Sequence, residues 1–223
     1  PGAVISGARL LTNFVREGNY WVATGQTQQT SPHGPCLSTA PRCDHPEDLY
    51  FDSVPLHHVD SLSDVAPGTW YFDYNADRIY FFDDPTGRLV ETSVTTFAFD
   101  GNADNVLISN LTIEKYATPA QRGAINGNSG SGWIVQNNIV QLNHGRGIRL
   151  GDGMHVYNNY VVDNGQMGMG GEGDNVVVEW NDIARNNYAG HDDEWEAGGT
   201  KFARTNGLIV RNNYVYENYG PGL

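Results

Sequence analysis

From residue 106 to the end of the chain, one pattern recurs five times: V-x-V-x-x-N-x-V-x-x-N, with Leu, Ile, Trp or Met admitted at the apolar places. The copies start at Val106, Trp133, Met154, Val176 and Leu208, and Leu111, Asn138, Asn159, Asn181 and Asn213 form one column through them, at steps of 27, 21, 22 and 32 residues. A period near 22 is too short for a helical-hairpin repeat, and the leucine signature of a horseshoe repeat is missing. Within each copy apolar residues alternate at spacing two, break, and alternate again, which describes two short strands separated by a corner. A glycine-rich third run follows, as in Gly147-Ile148-Arg149-Leu150, Gly168-Met169-Gly170 and Gly199-Thr200-Lys201-Phe202. Three strands and three turns in roughly 22 residues make one rung of a parallel β-helix, and the general preference of parallel crossovers makes it right-handed.

The asparagines have a structural reading that needs no chemistry. At one corner of successive rungs an Asn stacks its amide on those above and below, bonds the turn backbone and tolerates left-handed geometry. The same holds for the second column, Tyr116, Asn143, Asn164, Asn186 and Asn218. Stacked valines build the core, so function is expected on the outer faces.

The chain of 223 residues is expected to be a single β-helix domain, 1–223, with residues 31–93 forming an inserted excursion and 94–223 the regular rungs. The short apolar runs Ala3-Val4-Ile5 and Tyr20-Trp21-Val22 are read as the first rung and a half. Within the excursion, aromatic runs on either side of Asn75-Ala76-Asp77 predict a β-hairpin over Thr69 to Phe82. Both ends read as cut within a rung, so further rungs are expected on each side. Cys36 and Cys43, set among Pro32, Pro35, Pro41 and Pro46, suit a local disulfide in an exported protein, the alternative being two free thiols. With 13 Lys and Arg against 26 Asp and Glu, the formal charge is −13. No basic stripe exists to neutralise phosphates, which argues against nucleic acid and anionic membranes as partners. No apolar stretch reaches the roughly 20 residues of a membrane span.

The segment from Pro67-Gly68-Thr69-Trp70-Tyr71-Phe72-Asp73 through Ile79-Tyr80 and Asp83-Asp84-Pro85 resembles the secreted right-handed parallel β-helix proteins, among them polysaccharide lyases and glycoside hydrolases. So does Glu196-Ala197-Gly198-Gly199-Thr200-Lys201-Phe202 with Gly220-Pro221-Gly222-Leu223. The resemblance implies an extracellular carbohydrate-active protein whose partner is a polysaccharide.

The 32-residue step exceeds a basic rung by about ten residues, supplied by Gly190-His191-Asp192-Asp193-Glu194-Trp195-Glu196-Ala197-Gly198. Titratable side chains crowded in one turn with a tryptophan suggest a bound cation or sugar; the plain alternative is a solvated acidic loop lidded by Trp195. If Gly147, Gly168 and Gly199 are equivalent, then Arg149, Gly170 and Lys201 share an outward column, with Gly170 leaving a trough between two cations and Glu172 at the strand end. This suits β-elimination of a uronic-acid polysaccharide. Calcium held by Glu194, Glu196 and Asn164, with Asp192 and Asp193 beside them, would neutralise the uronate, Lys201 would take its α-proton and Arg149 would steady the carboxylate. The arrangement Glu194-x-Glu196-x4-Lys201 resembles the metal and base motif of alginate and chondroitin lyases of this class. Alternatively Lys201 is a surface lysine paired with Glu172. A glycoside hydrolase would instead need two carboxylates, drawn from Glu172, Asp192, Asp193, Glu194 and Glu196, with Trp195 or Tyr188 as a stacking platform and His191 nearby. A third reading is a non-catalytic glycan-binding or surface protein. His57 and His58 are neighbours on a strand and point to opposite faces, which argues against a shared metal.

Overall fold

The computed structural model describes residues 2–223, and strands make up nearly all of its regular structure. Three parallel sheets run the length of a β-helix. The first stacks Leu107–Ser109, Ile134–Gln136, His155–Tyr157, Val177–Glu179 and Ile209–Arg211. The second stacks Val4–Ser6, Thr112–Glu114, Ile139–Gln141, Tyr160–Val162, Asp182–Ala184 and Tyr214–Tyr216. The third stacks Phe99–Asp100, Gly123–Asn126, Arg146–Leu150, Met167–Gly171 and Gly198–Phe202. Register is set by the repeat: Val135 lies on Val156 and Val156 on Val178, all three fully buried. A one-residue slip would turn that column to solvent.

The corners are made by two residues acting together. Between the first and second sheets the residue before the ladder Asn takes the left-handed conformation, as Asn137 (φ 56°) and Asn158 (φ 54°) do, and the next side chain turns inward. Asn159 then donates from Nδ2 to Val135 O (2.8 Å) and to Asn181 Oδ1 (3.0 Å), while its own Oδ1 accepts from Asn138 N (3.0 Å) and Nδ2 (3.1 Å). The second column, Asn143 to Asn218, repeats this between the second and third sheets. The left-handed role therefore falls one residue before the stacked amide, which satisfies backbone groups a corner would otherwise leave bare.

The excursion interrupts one rung. Val4–Ser6 pairs in parallel with Thr112–Glu114, and Gly7 N donates to Glu114 O (2.9 Å). The chain then leaves, returning where Val94 N donates to Gly7 O (2.9 Å). The intervening strands, from Ala8–Leu10 to Val90–Ser93, lie in two sheets that are antiparallel except where His57–His58 runs parallel to Thr69–Asp73, around their own core of Leu49, Phe51, Trp70, Phe72, Ile79 and Phe81. The expected aromatic hairpin is there, Thr69–Asp73 against Arg78–Phe81, with Asp77 (φ 56°) in its turn. Tyr20–Thr24, expected within the first rungs, instead pairs antiparallel with Arg78–Phe81. Period-two alternation is common to parallel and antiparallel strands and does not distinguish them. Cys36 and Cys43 form a disulfide. No helix among the described residues is long and apolar enough to cross a membrane.

Candidate functional site

The third sheet carries the predicted column. Arg149 pairs with Gly170 and Gly170 with Lys201, so the two cations stand two rungs apart, roughly 10 Å at the usual strand spacing. The position between them is closed rather than open, because a Cβ at Gly170 would lie 2.4 Å from Lys201 O. The hollow lies beside the column: a cavity of about 150 Å³ lined by Gln121, Arg146, Arg149, Glu172, Glu196 and Lys201, with Gly171 and Ala203.

Its charges are unevenly partnered. The Glu196 carboxylate is held by Arg146 on one oxygen and by Gln121 on the other, and its backbone carbonyl accepts from Gln166 Nε2 at 2.7 Å. Burial draws the Arg146 guanidinium below its ordinary value, against the opposing pull of Glu196. Arg149 is also drawn down, first by burial and then by the nearby Arg122 cation. Glu172 pairs with Arg204 at 3.2 Å rather than with Lys201, whose Nζ donates to Trp195 O at 2.9 Å. Arg149 has no ion-pair partner among the described residues, while its neighbours Arg146 and Arg204 do. A half-buried guanidinium at the wall of a cavity is suited to bidentate capture of a carboxylate.

The acidic insertion is a single helical turn, Asp193–Glu196, capped by Asp192, whose Oδ1 accepts from Glu194 N (3.0 Å). The expected calcium ligands do not converge. Asn164 is fully buried in the amide ladder, donating to Val140 O and Asn186 Oδ1. Glu196 is engaged by Arg146, Asp192 caps its own turn, and Asp193 and Glu194 are exposed on the loop. Among the described residues no cluster of three or more His, Cys, Asp or Glu side chains is placed to hold a metal. As arranged, these five side chains are spread over an ion pair, a turn cap, the amide ladder and an exposed loop, and do not form one donor set.

The aromatic candidates belong to a different contact. The excursion and the acidic insertion leave the helix at the same kind of corner, between the second and third sheets, and close on each other. Leu37 N donates to Gly190 O (2.9 Å) and Asp192 N to Pro35 O (3.1 Å), and Cys36 bridges His191. His191 is fully buried, 3.3 Å from Cys43 Sγ, and burial with the His144 and His33 charges pushes it down to about 3. It is therefore covered rather than presented to a substrate. Trp195 packs edge-on against His33 at 5.6 Å between ring centres. Tyr188 turns its hydroxyl inward to Asp48 Oδ2 (2.8 Å), which departs from the expected stacking platform. Asp48 also takes a bond from Tyr50 (3.2 Å) and contacts His144 Nδ1 (3.1 Å), and His144 Nε2 lies 2.7 Å from Cys43 O. This buried cluster clasps the excursion to the rungs. His57 is exposed and His58 buried on Trp70, as alternation requires.

Sequence reasoning missed Arg146 and Gln121 at the cavity and Asp48 and His144 in the clasp. Arg146 does carry a signal, since it is a cation set between two glycines in Gly145-Arg146-Gly147. Its partner Glu196 lies 50 residues away, and no local pattern connects them.

The family model described as "Right handed beta helix region" matches residues 123–223. A solved structure titled "The complex structure of XylC with xylose" superposes with a TM-score of 0.79 at 16% identity, covering 96% of this chain and 48% of that one. The chain thus spans about half the length of that protein. No curated protein matches the chain. With three parallel ladders in register, the family match and the superposition, this chain has the fold of a right-handed parallel β-helix.

Proposed function

We propose that the protein acts on a uronic-acid polysaccharide by β-elimination at the cavity on the third sheet. The observation that carries this reading is Arg149, a half-buried guanidinium with no ion-pair partner among the described residues, on the same outward column as Lys201 and lining one cavity with it. In an acidic chain of net charge −13 such a cationic pocket selects an anionic sugar. The fold neighbour solved with xylose supports a saccharide ligand. Arg149 binds the uronate carboxylate and stabilises the charge that develops when the α-proton leaves. Lys201 takes that proton, the β-glycosidic C–O bond breaks, and an unsaturated sugar remains. The ammonium so formed on Lys201 returns the proton to the leaving oxygen through water, and Glu172, at the rim beside Arg204, completes the polar lining. A hydrolase would need two carboxylates facing the sugar, and both Glu196 oxygens are occupied by Arg146 and Gln121. The disulfide supports an oxidising, extracellular location.

The test is ultraviolet absorbance during incubation with a panel of uronate and neutral polysaccharides. Absorbance of unsaturated uronate is expected, and Lys201→Ala or Arg149→Ala should each reduce its rate on the order of 10²-fold or more. New reducing ends without absorbance would refute elimination, and retention without either signal would make the protein a binder.

A further inference from the structure

The corner between the first and second sheets holds one residue that breaks the repeat. At the left-handed position four rungs carry Asn110 (φ 59°), Asn137 (φ 56°), Asn158 (φ 54°) and Asn212 (φ 55°). The remaining rung carries Trp180, at φ 57°. Asparagine tolerates this conformation because its short polar side chain bonds locally, whereas a bulky aromatic residue is strained there. Burial does not offset that strain, since Trp180 is 59% exposed with rungs on both sides of it. Large side chains also take this conformation at the other corner, but there Leu142 and Arg185 are half-buried, so what sets Trp180 apart is an indole left uncovered in a column of asparagines.

The surroundings supply a reason. Trp180 lines a groove of about 460 Å³ together with Asn137, Ile139, Asn158, Tyr160 and Asp182. Ile139, Tyr160 and Asp182 are successive members of one strand register, so the groove follows the helix axis across consecutive rungs. The Asn137 and Asn158 side chains are exposed, each amide offering donors and an acceptor, and Asp182 adds a further acceptor. Aromatic faces that cover C–H surface, beside amides and a carboxylate that bond hydroxyls, match a pyranose ring. The groove's lining holds one carboxylate and no cation, so it disfavours a uronate and favours an uncharged sugar. Arg185, which approaches the Tyr160 hydroxyl at 3.5 Å, is itself held by Asp163 at 2.7 Å.

We propose that the groove around Trp180 is a second glycan-binding site, for a neutral pyranose chain, separate from the cationic cavity on the third sheet. The choice of a glycan rests on the reading of the protein as polysaccharide-active, and the charge preference is opposite to that of the cavity. Such a site would hold neutral stretches of a mixed polysaccharide while uronate residues reach Arg149.

The test is electrophoretic retardation in native gels containing soluble xylan, glucomannan or mixed-linkage β-glucan, with titration of tryptophan fluorescence by the matching oligosaccharides. Trp180→Asn is the informative variant, because it restores the residue that the other rungs carry and should keep or raise the Tm. The wild type and Lys201→Ala should be retarded equally by at least one neutral glycan, and Trp180→Asn should bind at least tenfold more weakly. Asn158→Ala should weaken binding to a smaller degree. Equal retardation of Trp180→Asn, retardation by none of the three glycans, or loss of retardation in Lys201→Ala would overturn the proposal. A change in sedimentation of Trp180→Asn without a change in retardation would likewise overturn it, marking a contact between copies. Because the readout is binding of neutral glycans, it is independent of whether any unsaturated uronate appears.

Discussion

A single ladder asparagine shows how the repeat stabilises itself. Asn159 is 2% exposed, and its amide serves Val135 O, Tyr157 O, Asn181 Oδ1 and the Asn138 backbone N–H. Asn159→Ala leaves at least two buried backbone groups without partners, at about 1–3 kcal/mol each. The expected loss is therefore about 2–5 kcal/mol, read as a lower urea midpoint with little change in slope. Asn158→Ala, one residue earlier and exposed, removes only the left-handed preference and should lower stability by about 1 kcal/mol. If the two variants lost stability equally, the division of labour at the corner would be wrong. The ladder was legible because every copy of the repeat sets its two asparagine places at the same spacing, as in Asn138 and Asn143 or Asn181 and Asn186, whatever the step between copies. The left-handed residue was not, because its side chain varies, from Asn158 to Trp180 at one corner and from Leu142 to Glu217 at the other, and only the backbone reveals which residue turns.

Among elements, the disulfide loop and the acidic turn depend on each other. Leu37 and Pro35 bond the backbone of Gly190 and Asp192, and the turn that follows carries Glu196 to Arg146. Cys36→Ser with Cys43→Ser opens a short covalent loop, worth about 2–3 kcal/mol by chain entropy. The double variant should remain folded in its rungs, judged by far-ultraviolet circular dichroism, while protease cleavage between Gly190 and Ala197 accelerates. Unchanged cleavage there would show that the acidic turn holds without the loop. The third-sheet register of Arg149, Gly170 and Lys201 could be read from the sequence, because equivalent glycines mark equivalent strand positions. The cavity beside it could not: the gap at Gly170 is filled by the backbone of the next rung. The dispersal of the expected calcium ligands was equally hidden. Closeness in sequence says nothing about which carboxylate an arginine 50 residues away has claimed.

For the whole molecule, the clasp between excursion and rungs makes stability depend on pH in two opposed ways. Burial pushes His144 down, but the charge and hydrogen bond of Asp48 outweigh it, and the imidazole stands above its ordinary value. That stabilisation is complete below about pH 6.5, the value in the unfolded chain, and is lost as pH rises through the raised folded value. His191, held near 3, is neutral in the fold. It destabilises as pH falls from about 6.5 toward 3, by on the order of a few kcal/mol. Urea midpoints at about pH 4, 6 and 8 should therefore rank the variants differently. His191→Gln gains on the wild type toward acid, whereas His144→Gln narrows its deficit toward alkali. Parallel profiles for all three proteins would contradict the assignment.

The interrupted rung has a consequence for how this molecule can be cut and rebuilt. Gly7 and Val94 are joined by a backbone hydrogen bond of 2.9 Å although more than eighty residues of chain separate them, and those residues close around a core of their own. The excursion is a guest seated in a port whose two lips already touch. A chain in which Gly7 is spliced to Val94 through a short glycine linker should still wind its coils and unfold in one cooperative step. It should lose the Cys36–Cys43 crosslink and the His144 dependence together. Collapse of the coils on splicing would mean that the guest holds up its host. If they survive, the same port can accept an unrelated domain whose ends lie equally close, a β-helix accessorised from its flank without a single rung being redesigned.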